Sequence, residues 1–80
     1  MKVSNIDTGR FYTNGDSIRE VLEIALNPYG VWRLKYQTVS GCPGWAELHG
    51  GFTRIGKKSF AQWAKSEVSL DEALASLLQD

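Results

Sequence analysis

The chain has 80 residues, which is enough for one domain with one small hydrophobic core. Apolar residues make up 42% and charged residues 22% of it, a globular composition that excludes a disordered chain. Nine basic side chains balance nine acidic ones, so no global charge draws the molecule to nucleic acid or membrane. Because no segment approaches the length of a membrane-spanning helix and no signal-peptide core follows the N-terminus, we expect a soluble, cytoplasmic protein that contacts no membrane.

The start of the chain predicts two short strands joined by a turn, followed by a hairpin turn. We expect one strand within residues 1–6, a turn at residues 7–9 and a second strand over residues 10–13. Asn14-Gly15 is the strongest two-residue hairpin signal in the chain, because both residues tolerate positive φ.

The two segments that follow the hairpin turn alternate between apolar and polar residues, the period-2 pattern of half-buried strands. The first covers residues 18–26, and its apolar side carries Ile18, Leu22, Ile24 and Leu26. After a turn at residues 27–30, residues 31–39 predict the clearest strand in the chain. One of its faces carries Trp32, Leu34, Tyr36 and Thr38, and the other carries Arg33, Lys35 and Gln37.

Glycine and proline are frequent in residues 40–51, so we expect a loop there, interrupted by a short strand near residues 45–48. Another strand is predicted over residues 52–55. Residues 51–58 nearly match the phosphate loop GxxxxGK[ST], but Lys58 stands where the motif needs Ser or Thr. An antiparallel chain also lacks the parallel sheet that this loop requires, so nucleotide hydrolysis is not expected.

Two helices are predicted to close the chain, each beginning at a serine cap. The first begins at Ser59 with Gln62 as its capping-box partner, and the second begins at Ser69 with Glu72 as partner. The side chains expected to be buried are Phe60, Trp63 and Ala64 in the first helix and Leu70, Ala73, Leu74, Leu77 and Leu78 in the second.

Four or five short antiparallel strands followed by two helices define an α+β fold. We favour a small SH3-like barrel, or a strongly curved sheet, because closure removes sheet edges that so short a chain has little means to cover. The whole chain is taken as one domain, with the barrel at residues 1–58 and a helical tail at residues 59–80. The predicted core contains Leu22, Ile24, Trp32, Leu34, Tyr36, Phe60 and Trp63.

The single cysteine, Cys42, and the single histidine, His49, give little support to chemistry. One cysteine excludes an internal disulfide, and the two side chains are too few for a Cys/His zinc site within one chain. As a nucleophile and base they would need a third group to orient the imidazole, and none is evident in the sequence. We therefore expect no catalytic residue, no metal and no other cofactor.

Charge is balanced in total but uneven along the chain. Residues 30–65 carry six basic side chains against one acid, a net charge of +5, and residues 66–80 carry four acids and no base, a net charge of −4. An alternative function is therefore nucleic-acid binding by a basic face of the barrel, formed by Arg33, Lys35, Arg54, Lys57 and Lys58, with Lys65 nearby and with Tyr29, Trp45 and Phe52 as stacking aromatics. Two opposing interpretations remain: the acidic final helix, which includes Asp80, lies near these bases and neutralises them, or the bases are ordinary solvated surface charges.

Trp45 differs from Trp32 and Trp63 because it lies in a loop between glycines. It either folds back as a lid over the mouth of the barrel or stays exposed as an interface anchor. If the short strand near residues 45–48 exists, Trp45, Glu47 and His49 share one face. An aromatic side chain beside an acid and an imidazole suits a protein partner better than a phosphate backbone, so these three residues form the predicted protein-binding site.

Several segments resemble small uncharacterised proteins of bacterial genomes, prophages and plasmids. These segments are Val3-Ser4-Asn5-Ile6 with Gly9 and Tyr12, Arg19-Glu20-Val21-Leu22-Glu23-Ile24, Trp32-Arg33-Leu34-Lys35-Tyr36, Thr53-Arg54 and Ser59-Phe60-Ala61-Gln62-Trp63-Ala64. The resemblance covers residues 2–68 and implies an SH3-like barrel closed by a short Ser-Phe-Ala-x-Trp-Ala helix. It transfers no site, and the final helix and the loop at residues 42–50 look like additions.

These observations together predict a non-enzymatic module that binds another protein. Small proteins of mobile elements often inhibit host or defence machinery, so the favoured function is a phage- or plasmid-encoded inhibitor such as an anti-CRISPR or anti-restriction factor. Nucleic-acid binding through the basic residues is the alternative, and no small-molecule substrate is expected.

Overall fold

The protein is α+β, with one open antiparallel five-stranded sheet and three helices in residues 1–78, the part that the computed structural model describes. The strands are β1 (Phe11–Thr13), β2 (Ile18–Leu26), β3 (Trp32–Ser40), β4 (Thr53–Gly56) and β5 (Ser66–Val68). The helices are α1 (Trp45–Leu48), α2 (Lys57–Trp63) and α3 (Leu70–Leu78). Over this part of the chain, no helix combines the length and the apolar character that crossing a bilayer needs.

The strands lie in the order β4-β3-β2-β1-β5, and every neighbouring pair is antiparallel. Three pairs are consecutive in the chain, whereas β5 returns to pair with β1, so that Phe11 lies opposite Val68. The sequence analysis did not predict β5. A strand of three residues is too short to show alternation in the sequence, and β5 is extended because it pairs with β1, which is distant in the chain.

Two register shifts change which residues of β2 face the core. The pairing passes over Leu22, so that Val21 lies opposite Tyr36 and Ile24 lies opposite Leu34, on one face of the sheet. Val21 is fully buried, while Leu22 is only half-buried. The simple alternation that placed Leu22 in the core was therefore wrong, because a bulge inserts one residue and reverses the facing of those beyond it.

The core lies on one face of the sheet, beneath α2 and the N-terminal segment. It contains Ile6, Tyr12, Val21, Leu34, Tyr36, Phe60, Ala61 and Ala64, with Ile24, Ile55 and Trp63 packed against it. Trp32 was predicted to be core, but 54% of it is exposed. It is the first residue of β3, opposite Leu26, and it lies one residue outside the stretch of β3 that pairs with β4.

Phe60 of α2 is the centre of the aromatic packing. Its ring centroid lies 5.7 Å from that of Tyr12, 5.6 Å from that of Tyr36 and 5.3 Å from that of Trp63. The helix begins at Lys57, three residues earlier than a cap at Ser59 predicts, because β4 runs directly into it and the extended Gly56 occupies the N-cap position.

The N-terminal residues form a 3-10 turn over Val3–Asn5, where the sequence analysis predicted a strand. The Tyr12 hydroxyl explains the tight geometry: it donates to the Asn5 carbonyl at 2.8 Å and accepts from the Asp7 amide at 2.8 Å. These two bonds bend the chain over the core before β1 begins, and Ile6 is fully buried beneath the bend.

Helix α3 packs against β3 on the back face, which is the face of the sheet opposite the core. Ser69 caps it, its hydroxyl accepting from the Glu72 amide at 3.2 Å, and Ala73 is buried. Leu70 and Leu74 were expected to be buried but are 56% and 47% exposed, because the helix meets the sheet through the small Ala73. The side chains of Leu77 and Leu78, and all of Asp80, lie outside the described residues.

Candidate functional site

The loop after β3 contains a one-turn helix, α1, where the sequence analysis predicted a short strand. Gly44 is extended and serves as the N-cap, and its amide donates to the Glu47 carboxylate at 2.7 Å. A carboxylate at this third helical position satisfies an amide that the helix itself leaves unpaired. The strand prediction was wrong because this capping bond, rather than alternation, sets the local conformation.

Glu47 also joins α1 to the sheet. Its carboxylate accepts from the Thr38 hydroxyl at 2.9 Å and from the Thr38 amide. With the bond from Gly44, three donors converge on one half-buried carboxylate, and hydrogen bonds to a charged group are stronger than neutral ones. Glu47 was predicted as a contact residue for a protein partner, but its carboxylate is occupied in holding the loop against β3.

Trp45 projects into solvent from this fixed helix, with 75% of its surface exposed. Its ring centroid lies 4.2 Å from that of His49, one helical turn later, at an interplanar angle of 33°. Trp45 is therefore not a lid on the core. The structure brings Trp45 and His49 together but turns Glu47 to the other side, because the spacing that placed all three on one face belonged to a strand.

Leu48 completes this surface and was missed by the sequence analysis. It is 68% exposed on the same short helix. Helical spacing of three and four residues from Trp45 gives Leu48 and His49, and that spacing was the signal available in the sequence. We call Trp45, Leu48 and His49 the Trp45 patch.

The basic residues divide between two places. On the back face, Lys35 of β3 lies directly opposite Arg54 of β4, and Arg33 follows on the same face. Together with Glu23, Ala25 and Leu34, these three residues line a depression of about 90 Å³. Lys57 and Lys58 instead lie in the first turn of α2, and Lys65 follows that helix.

The acidic helix α3 does not neutralise these bases through ion pairs in the described part of the chain. Between residues 1 and 78, the ion pairs join Arg10 to Asp7 and Glu67, and Lys35 to Glu23 at 3.8 Å. Helix α3 reaches the back face at the other end of β3, beside Gln37. The neutralisation that the sequence analysis considered thus finds no support in the described contacts.

Cys42 and His49 are the two residues considered for catalysis from the sequence. Cys42 is exposed, and the His49 ring is stacked on Trp45. Over residues 1–78, Cys, His, Asp and Glu side chains form no group of three that could hold a metal ion.

Comparison of the chain with protein-family models, curated proteins and solved structures found no match.

Proposed function

We propose that this protein is a non-enzymatic module that binds another protein through the Trp45 patch. The observation that carries the proposal is the exposure of Trp45 on a helix that the Glu47 carboxylate holds against β3. Tryptophan is enriched among the residues that dominate binding energy at protein interfaces. In the free protein the large apolar ring of an exposed tryptophan stays in contact with water. A binding partner that covers the ring gains the free energy of burying it.

The short helix holds this anchor in place before binding. Three hydrogen bonds to Glu47 fix the loop, and the His49 ring restrains the orientation of the Trp45 ring. A surface that is already ordered loses less conformational entropy on association. The arrangement therefore favours recognition of a groove or pocket on a folded partner.

The strand order supports the finer description of the fold as a partly open SH3-like barrel. The last strand returns to the first, and α2 packs on the core face of the sheet. Together with the resemblance to small prophage and plasmid proteins, this extends the proposal to an inhibitor of host or defence machinery, such as a CRISPR or restriction component.

The test is affinity isolation from the source cells with nuclease-treated lysates, comparing wild type with Trp45→Ala. A specific protein partner should bind the variant about 30-fold more weakly, the scale of losing one interface anchor. Tyr29→Ala is the matched control, because Tyr29 is an aromatic residue of 89% exposure on the distant β2–β3 turn, and it should bind as wild type does. Equal binding of wild type and Trp45→Ala would refute the proposal.

A further inference from the structure

The back face of β3 and β4 carries three cations, and Glu23 of β2 lies opposite Lys35 on the side away from β4. Lys35 and Arg54 are directly opposite each other in the register, and Arg33 is the next residue on the same face. Like charges directly opposite on neighbouring strands destabilise a sheet. The one acid in an ion pair with this group, within residues 1–78, is Glu23, whose carboxylate is 3.8 Å from the Lys35 amine.

An exposed aromatic ring borders these charges. Phe52 immediately precedes β4, is 47% exposed, and has the Lys35 amine 5.1 Å from its ring centroid. An aromatic ring that is about half exposed leaves part of its surface available for stacking with a base. Its contact with Lys35 places the ring on the back face, alongside the basic side chains.

We propose that this surface, formed by Arg33, Lys35, Phe52 and Arg54, binds single-stranded nucleic acid. The three cations take successive phosphates along β3 and β4, and one base stacks on the free face of Phe52. Proteins that bind single strands combine a positive track for the backbone with aromatic rings for the bases. A duplex keeps its bases stacked inside, so it offers phosphates to the cations but no base to Phe52.

The four residues of this surface differ from those of the Trp45 patch, although Phe52 shares a depression with Pro43 and Glu47 of the loop that carries α1. Helix α3, which carries the acidic residues Asp71 and Glu72, meets the back face beside Gln37. The residues of α3 that pack on the sheet do not reach the depression around Arg33. The surface is thus open to an anionic ligand although the chain as a whole is neutral.

Fluorescence anisotropy with labelled oligothymidylate, and with its duplex with oligoadenylate, tests the proposal at low and moderate salt. We expect tighter binding of the single strand, with a log–log salt slope of about −2 for three phosphate contacts. Arg54→Glu should weaken binding at least tenfold and reduce the slope by about 0.7. Phe52→Ala should weaken single-strand binding about tenfold and leave the duplex unaffected. The control Lys65→Glu, a charge reversal at an exposed lysine off this face, should have little effect.

Three results would overturn the proposal: no binding to either nucleic acid, equal loss in Lys65→Glu and Arg54→Glu, or insensitivity of single-strand binding to Phe52→Ala. Polyglutamate serves as an acidic-protein probe, and binding as tight as that of the oligonucleotide would assign the surface to a protein anion instead. Circular dichroism melting of each variant shows that it is folded. Trp45→Ala should bind oligothymidylate as wild type does, which separates this test from that of the protein-binding function.

Discussion

The Arg19 guanidinium lies 4.0 Å from the centroid of the Trp63 ring, so a charged side chain of β2 is stacked on an aromatic of α2. The same guanidinium is 4.5 Å from the ring of Tyr36 on β3. Arg19 therefore fastens α2 to the sheet at the border of the core, and Trp63 remains half-buried instead of fully enclosed. Arginine suits this role because its weakly hydrated planar group stacks on rings while it keeps its charge.

The Arg19–Trp63 contact should be measurable as a coupling between two substitutions. Trp63→Ala should lower the free energy of unfolding by about 3 kcal/mol, from lost packing on Phe60 and lost stacking on Arg19. A double-mutant cycle with Arg19→Ala, followed by urea denaturation, should give a coupling of about 1 kcal/mol. Additive effects would show that the stacking contributes nothing, and an unchanged midpoint in Trp63→Ala would show that this ring is not part of the packing.

The Tyr12 hydroxyl should make the free energy of unfolding fall at alkaline pH. Burial raises the pKa of its hydroxyl, although the hydrogen bond from the Asp7 amide partly opposes the shift. The protonated form is therefore favoured in the folded state. The protonated hydroxyl therefore contributes to the free energy of unfolding. This contribution is fully present below the ordinary tyrosine pKa of 10.0 and is lost as the pH rises through the higher pKa of the folded state. Tyr12→Phe should cost about 1–2 kcal/mol at neutral pH, since it removes two hydrogen bonds.

The pH dependence distinguishes this role of Tyr12 from simple packing. Denaturation between neutral and strongly alkaline pH should show a smaller alkaline loss of stability in Tyr12→Phe than in wild type. Tyr29→Phe, at the exposed turn, should retain the full loss. Parallel curves for wild type and Tyr12→Phe would contradict the assignment.

Glu47 should matter more for stability than its surface position suggests. Glu47→Gln replaces one acceptor oxygen by an amide that faces donors from Gly44 and Thr38, so we expect a loss of about 2 kcal/mol. Faster hydrogen exchange at the Thr38 and Gly44 amides should accompany it. Glu23→Gln, at a largely exposed ion pair, should change stability by about 0.5 kcal/mol or less. Similar effects of the two substitutions would mean that Glu47 does not hold the loop.

Two glycines with positive φ provide a matched comparison of backbone strain and steric exclusion. Gly30 (φ +79°) faces open space, so Gly30→Ala should cost about 1 kcal/mol from the backbone alone. At Gly41 (φ +107°) a new Cβ would collide with the Ser17 side chain and lie 3.2 Å from its Cα. Gly41→Ala should therefore cost clearly more than Gly30→Ala in thermal denaturation, and the reverse order would show that the β2–β3 ends separate easily.

The sequence predicted local strands well and non-local relationships poorly. The strand over residues 18–26 coincides with β2, and the clear alternation of the next segment matches β3 within one residue. The bulge at Leu22 and the pairing of β5 with β1 escaped prediction because each is decided by a partner strand. Alternation in one segment contains no information about where the opposite strand skips a residue.

In the candidate site, too, features set by neighbouring residues could be predicted from the sequence, and features set by a distant element could not. Exposure of Trp45 was one of two alternatives left open by the sequence, and the structure selects it. The structural use of Glu47 was not predictable, because its partner Thr38 belongs to another element and the helix itself had been assigned as a strand. Arg33, Lys35 and Arg54 lie together because alternation puts Arg33 and Lys35 on one face of β3 and the register puts Arg54 opposite Lys35. The sequence shows the alternation but not the register.

The return of β5 to β1 has a consequence for the order in which the chain folds. Arg10 and Glu67, which bond across this pair, are 57 residues apart, whereas the β2–β3 hairpin closes locally. During synthesis β1 therefore has an open hydrogen-bonding edge until residues 66–68 have been made, and open edges invite pairing with other chains. Once β5 is in place, a three-residue strand with two exposed polar side chains, Ser66 and Glu67, becomes the new edge. The pairing of β5 with β1 thus removes from the nascent chain an edge of the kind that templates aggregation.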